Sequence, residues 1–187
     1  MIKDKKMLLL YIFALVMIFS AVPVLISMTK KASAAAAMKR IIEKRGGKVI
    51  PVNPFWYVGS INGKNCDFHV VFDKRLISVK VVSFITANTL VDFIDETTYG
   101  IKTLRTEKGV NKDKVAYNKC KKKPYNFKYR IPEEYSKLPK ARVILINEPY
   151  PARVTVSENG FYKDVHQGEA LPEGELYKVN GFINLFK

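Results

Sequence analysis

Cysteine is scarce in this chain of 187 residues. Cys66 and Cys120 allow at most one bridge, which excludes a disulfide-stapled scaffold. Histidine is as rare, and neither His69 nor His166 stands at a metal-like spacing from the two cysteines; Cys66-x-x-His69 by itself is not a zinc motif. There is no Gly-rich phosphate loop and no Ser nucleophile elbow, and Gly46-Gly47 reads as a helix terminus. Acidic residues are few: 17 Asp and Glu face 32 Lys and Arg, for a net charge of +15. Only one apolar run is long enough to span a bilayer, which excludes a polytopic membrane protein. Aromatic residues, by contrast, are plentiful. Eleven Phe and ten Tyr within a 48% apolar composition exclude a chain disordered throughout and supply a packed core for about one domain.

The apolar run covers Met7 to Met28, 22 residues without an ionisable acid or base. As a helix it would measure roughly 33 Å, close to the hydrocarbon thickness, and a transmembrane helix tolerates Pro23. The alternative is a cleaved signal peptide, with Lys3, Lys5 and Lys6 as its basic start and Ala32-Ser33-Ala34 as its cleavage site. The run exceeds a signal's apolar region, and Lys30-Lys31 separates it from the small residues, so an uncleaved anchor is the expectation. Basic residues are more numerous after the run (Lys30, Lys31, Lys39, Arg40, Lys44, Arg45, Lys48) than before it, which places the large domain in the cytoplasm. Two cysteines without an evident partner agree with that side. A type II arrangement, with an extracytoplasmic assembly component outside, is the alternative, and a Cys66–Cys120 bridge would favour it.

Thr29 to Arg45 is rich in Ala and charged residues, with Met38, Ile41 and Ile42 at helical spacing, so a juxtamembrane helix nearly continuous with the anchor is expected up to Gly46-Gly47. Strands are expected at Lys48–Val52, Phe55–Ser60, Asp67–Phe72 and Leu76–Phe84, with Asn62-Gly63 as a hairpin turn and Leu76–Phe84 central. Asn88–Asp95 is open between a helix, through Leu90, Val91, Phe93 and Ile94, and a strand paired with Ile101–Thr106, with its Thr and Val content favouring the strand; Glu107–Pro124 reads as a loop. Further strands are expected at Phe127–Ile131, Val143–Ile146 and Leu176–Val179. A hairpin is expected across Val154–Lys163 and a short helix at Phe182–Phe186. The fold class is α+β (mixed α/β): one N-terminal transmembrane helix followed by a strand-rich domain. The segments are a flank at 1–6, the transmembrane helix at 7–28, a juxtamembrane helix at 29–47, a strand-rich core at 48–106, a basic loop region at 107–140 and a β-hairpin subdomain at 141–187.

Glu43 on the helix, Asp67 opening a strand and Lys80 within the next strand form an ordered series across residues 38–84. This stretch resembles the core of the PD-(D/E)XK restriction-endonuclease-like families. There a helix acid and a strand Asp precede an acid-x-Lys tripeptide. The resemblance implies that the acids would hold Mg²⁺ through hard oxygen ligands, while Lys and metal stabilise charge on an attacked phosphate. In Ser78-Val79-Lys80, however, serine stands where the family has its second acid. The resemblance is therefore to a degenerate or displaced site.

The remaining feature is a basic stretch. Between Lys102 and Arg130, eleven basic residues oppose Glu107 and Asp113, with Tyr117, Tyr125, Phe127 and Tyr129 interleaved. Lys102, Arg105, Lys119, Lys121, Lys122, Lys123, Lys128 and Arg130 are the candidate contacts to anionic lipid headgroups, nucleic acid or an acidic protein partner. A solvated basic loop with its aromatics in the core is the plain alternative. The sequence is thus read as a membrane-anchored, non-catalytic binding or scaffolding module without a cofactor. The alternatives are a metal-dependent nuclease-like protein and the extracytoplasmic component.

Overall fold

The computed structural model describes residues 2–57, 66–84, 89–94, 98–106, 115–117, 121–124, 131–158, 161–171 and 174–187. Helix α1 (Ile2–Lys44) is unbroken over 43 residues, about 65 Å at the α-helical rise. It is long and apolar enough to cross a membrane. Its large apolar side chains from Met7 to Ile26 are exposed, whereas Ala35, Met38 and Ile42 are buried in the domain. One rod therefore carries two surfaces, and the change comes within about two turns of Met28. The C-terminus is closed by backbone bonds from Gly46 N–H to the Glu43 carbonyl (3.1 Å) and from Gly47 N–H to the Ile42 carbonyl (2.9 Å). This is a Schellman arrangement, and it needs the left-handed Gly46 (φ +86°).

The first sheet has six strands, in the order β1 (Lys48–Pro51), β2 (Phe68–Phe72), β3 (Arg75–Val82), β8 (Lys140–Ile146), β12 (Gly174–Lys178) and β11 (Ala170–Leu171). Strands β1, β2 and β3 form an antiparallel meander. β8 runs parallel to β3, β12 runs parallel to β8, and β11 closes the edge. The second sheet comprises β4 (Thr89–Phe93), β5 (Thr98–Thr106), β6 (Val115–Tyr117), β7 (Lys121–Pro124), β9 (Arg153–Glu158) and β10 (Phe161–Asp164). Its order is β10-β9-β4-β5-β6, with β7 also paired to β5. A single 3₁₀ turn, Glu133–Tyr135, precedes β8, and helix α2 (Val179–Asn184) follows β12.

Alternation along β3 and β8 sorts the layers, because successive strand residues point to opposite faces. Val79, Val81, Val143 and Leu145 pack under α1 and α2 with Met38, Ile42, Phe182 and Phe186. Val82, Ile144 and Ile146 pack against the second sheet through Val91, Phe93, Tyr99 and Val156. The result is helices, sheet, sheet, with the first sheet buried on both faces. Edge-on ring contacts Phe72–Phe186 (5.2 Å) and Phe68–Phe182 (6.2 Å) fix the C-terminal segment to that sheet, and Trp56–Phe68 (4.9 Å) packs the 52–57 turn on it.

The coarse α+β expectation holds, and several local expectations change. Phe55–Tyr57 is a turn, not a strand, and β2 pairs with β1 instead. Rings at 55–57 carry strand propensity, but Pro54 and the packing of Trp56 on Phe68 favour the turn. Asn62-Gly63 lies outside the described residues. Within the expected 107–124 loop, Val115–Tyr117 and Lys121–Pro124 add short strands to β5, a tertiary pairing that overrides their polar composition. Of the strand expected at Phe127–Ile131, only Ile131 is described, and it lies outside any strand. Within the segment 141–187, β8, β11 and β12 belong to the first sheet and β9 and β10 to the second.

Candidate functional site

Asp67 lies one residue before β2, beside Lys80 of β3, and both are buried (0% and 2% exposed). Phe68 points into the helix-side core, so Asp67 and His69 project from the opposite face, toward the second sheet. The Lys80 Nζ is 3.4 Å from Asp67 Oδ2. That same oxygen accepts the Val81 backbone N–H at 2.7 Å, and Asp67 Oδ1 accepts the Asn53 side-chain amide, also at 2.7 Å. Burial lowers the Lys80 pKa, and the neighbouring Asp67 charge partly opposes that fall. The Asp67 charge reaches further. Tyr99, on β5 of the second sheet, is pushed up to about 12 by burial first and Asp67 second. Cys66 is pushed up to about 12 by the same two causes in the same order.

One residue pair away, Ser78 Oγ lies 3.1 Å from His69 Nδ1, across the β2–β3 register. Burial lowers the His69 pKa and so favours the neutral ring. Cys66 is a free, buried thiol that donates toward the Phe68 and Val79 carbonyls at 3.1 and 3.3 Å. A thiol held up to about 12 is not a nucleophile at neutral pH. Cys120 lies outside the described residues.

The structure therefore brings Asp67 and Lys80 together and leaves Glu43 apart. Glu43 is exposed on the helix side of the sheet, 3.8 Å from Lys39 one turn earlier, whereas Asp67 and Lys80 face away from that layer. Fit to Mg²⁺ is poor. Both Asp67 oxygens already accept hydrogen bonds, and the place of the second acid holds the Ser78 hydroxyl, itself paired with His69. Among the described residues, no group of three His, Cys, Asp or Glu side chains is placed to hold a metal ion. The arrangement pairs a buried ammonium with a carboxylate and ties the 52–57 turn to the start of β2.

Of the candidate basic contacts, Lys102 and Arg105 lie on β5. Lys121, Lys122 and Lys123 lie on β7, opposite Ile101, Gly100 and Tyr99. Lys119, Lys128 and Arg130 lie outside the described residues. The 102–130 segment thus contributes the latter part of β5 and the strands β6 and β7 to the second sheet.

Sequence reasoning missed Asn53, Tyr99 and the buried pair Asp92–Thr155, where the Thr155 hydroxyl lies 3.0 Å from Asp92 Oδ1. Each joins elements distant in the chain, so local pattern carries no trace of them. Asn147–Pro151 reads from the sequence as a structured turn after a buried strand, but local pattern does not show what it meets at the end of the domain beside the apolar part of α1. There the 52–57 turn, with Val52 and Phe55 exposed, meets the 147–151 turn through an Asn147 side-chain bond to the Tyr57 carbonyl. Comparison of the chain with known protein families, curated proteins and solved structures finds no match.

Proposed function

We propose that this chain is a single-pass integral membrane protein. Its basic, non-catalytic domain works as a binding or scaffolding module at the bilayer surface, on the cytoplasmic side. One observation carries the reading. The exposed apolar length of α1 runs without a break into the turns whose Ala35, Met38 and Ile42 are buried in the core. The run from Met7 to Met28 matches the thickness of one bilayer core. A helix shared in this way holds the domain against the membrane instead of on a flexible tether. The cytoplasmic side rests on the basic flank just past the run.

Tethering favours anionic lipid headgroups over nucleic acid or an acidic protein as the partner of the basic 102–130 segment, because proximity is already supplied. In reconstituted vesicles of the full chain, tryptic cleavage within that segment should slow when anionic lipid is present, and the protection should vanish at high salt. Alkaline carbonate washing should leave the protein in the membrane pellet, and external protease should spare the domain in intact cells. Release by carbonate, or ready digestion from outside, would overturn the anchor or its orientation respectively.

The meeting of Asp67, just before β2, with Lys80 on β3 supports a second reading. In it, residues 38–84 are a restriction-endonuclease-like core retained as scaffold after loss of the second acid. Mg²⁺-dependent DNA cleavage abolished by Asp67→Ala would replace scaffold with enzyme. Lack of cleavage across divalent metals supports the scaffold.

A further inference from the structure

A crevice of about 660 Å³ opens where α1 enters the domain. Ile26, Lys30, Lys31 and Ala34 form one wall, and Tyr150 and Val179 stand opposite. Its depth relative to the apolar run is informative. Ile26 lies within the run, which ends at Met28, and Ala34 lies two turns further on, about 12 Å along the axis. The crevice therefore straddles the level at which hydrocarbon gives way to headgroups.

The lining changes character across that level. Its pocketed surface is mainly carbon, while two ammonium groups stand at the position just past the end of the run. Lys30 and Lys31 outnumber the acid in the lining, Glu148, which is exposed. The far wall is fixed in place. Tyr150 bonds to the Val179 backbone, and the Lys178 ammonium lies 4.9 Å from the centre of the Tyr150 ring. An apolar slot with cationic donors at its mouth matches a molecule that is apolar at one end and carries a phosphodiester at the other.

We infer that this crevice is a binding site for one glycerophospholipid molecule of the surrounding leaflet, with an acyl chain beside Ile26 and its phosphodiester on Lys30 and Lys31. The inference rests on α1 being a membrane anchor and goes beyond it, because a bare anchor needs only bulk lipid. The site is formed jointly by the helix and the folded domain, so an occupied crevice would lock the two together at a set depth.

The test uses the full chain in vesicles of phosphatidylcholine and phosphatidylglycerol containing a trace of diazirine-bearing phosphatidylglycerol. Adducts are mapped by mass spectrometry after irradiation. Labelling is expected at Ile26–Ala34 and at Val179–Asn180. It should fall roughly five-fold for each lysine removed in Lys30→Ala and Lys31→Ala. Ala34→Phe, which fills the slot without altering charge, should abolish it. Circular dichroism melting of each variant verifies that the domain is folded. Labelling that survives Ala34→Phe in a folded protein, or that falls only with the lysines, reduces the site to general surface attraction and overturns the inference. Carbonate extraction keeps the two failures apart. A wild-type chain that stays in the pellet but does not label the crevice loses only the lipid site, whereas a chain released by carbonate loses the anchor and the site together.

Discussion

Replacing Asp67 by alanine separates a structural carboxylate from a catalytic one. In the folded chain this carboxylate faces the Lys80 ammonium and accepts the Val81 amide and the Asn53 side chain, at complete burial. Its removal leaves a 2% exposed ammonium without this counter-charge and a backbone N–H without this acceptor. Breaking a buried pair from one side costs about 3–5 kcal/mol, since the remaining charge is still held away from water. The lost amide bond belongs to the same network and is counted within that figure, not added to it. In a chain of this size, 1 kcal/mol shifts Tm by about 2–4 °C, so Asp67→Ala should melt about 6–20 °C below wild type. Circular dichroism melting in detergent micelles, backed by urea titration, reads this directly. The double variant Asp67→Asn with Lys80→Met removes both charges while approximately keeping volume, and it should recover more than half of the loss. A single variant melting with the wild type would refute the structural account. If that variant also lost a Mg²⁺-dependent cleavage, the carboxylate would be catalytic.

The same buried cluster predicts a response to alkali. Cys66 is held up to about 12 in the fold against an ordinary 9.0, and Tyr99 up to about 12 against 10.0. Above pH 9 the unfolded chain releases protons that the folded chain keeps, so stability should fall as pH rises from 9 to 12. Lys80 acts with the opposite sign, because its folded value is lowered and its burial penalty eases as pH rises. Chemical denaturation over that range should show the fall, and Cys66→Ala should move its onset from about 9 to about 10. Alkylation of Cys66 by iodoacetamide at about pH 8 should track unfolding. Gly46→Ala should cost about 1 kcal/mol through its left-handed backbone alone, having open space around it. Gly47→Ala should cost more, because the added Cβ would stand 2.5 Å from Ile42 Cγ2 in the core; parallel melts of the two variants check the order. Phe182→Ala should lose about 3–5 kcal/mol by opening the ring cluster under the helices, again read by denaturation.

Much of the fold was legible one element at a time. β-branched runs marked β3 and β8, the Glu158–Gly160 turn signal marked the β9–β10 hairpin, and Gly46-Gly47 marked the end of α1. The failures have a common cause. Phe55–Tyr57 has strand-like residues but gains more from packing Trp56 on Phe68 than from joining a ladder. Lys121–Pro124 has loop-like residues but lies alongside β5. Of the three residues that resembled a nuclease core, two do meet, Lys80 on β3 and Asp67 just before β2. The third, Glu43, is divided from them by the sheet itself, which spacing along the chain does not reveal.

Composition and periodicity by themselves determined the long apolar helix, its glycine stop, the excess of basic charge and the strand-rich character of the domain beyond it, because each depends on residues within a few positions of one another. Only the tertiary structure decided that Asp67 neutralises Lys80, that Ser78 binds His69, and that a crevice opens between α1 and the 147–151 turn. Those facts depend on strand order and on which face of the sheet each side chain enters. Both are set by packing among segments far apart in the chain, where the local pattern carries no information.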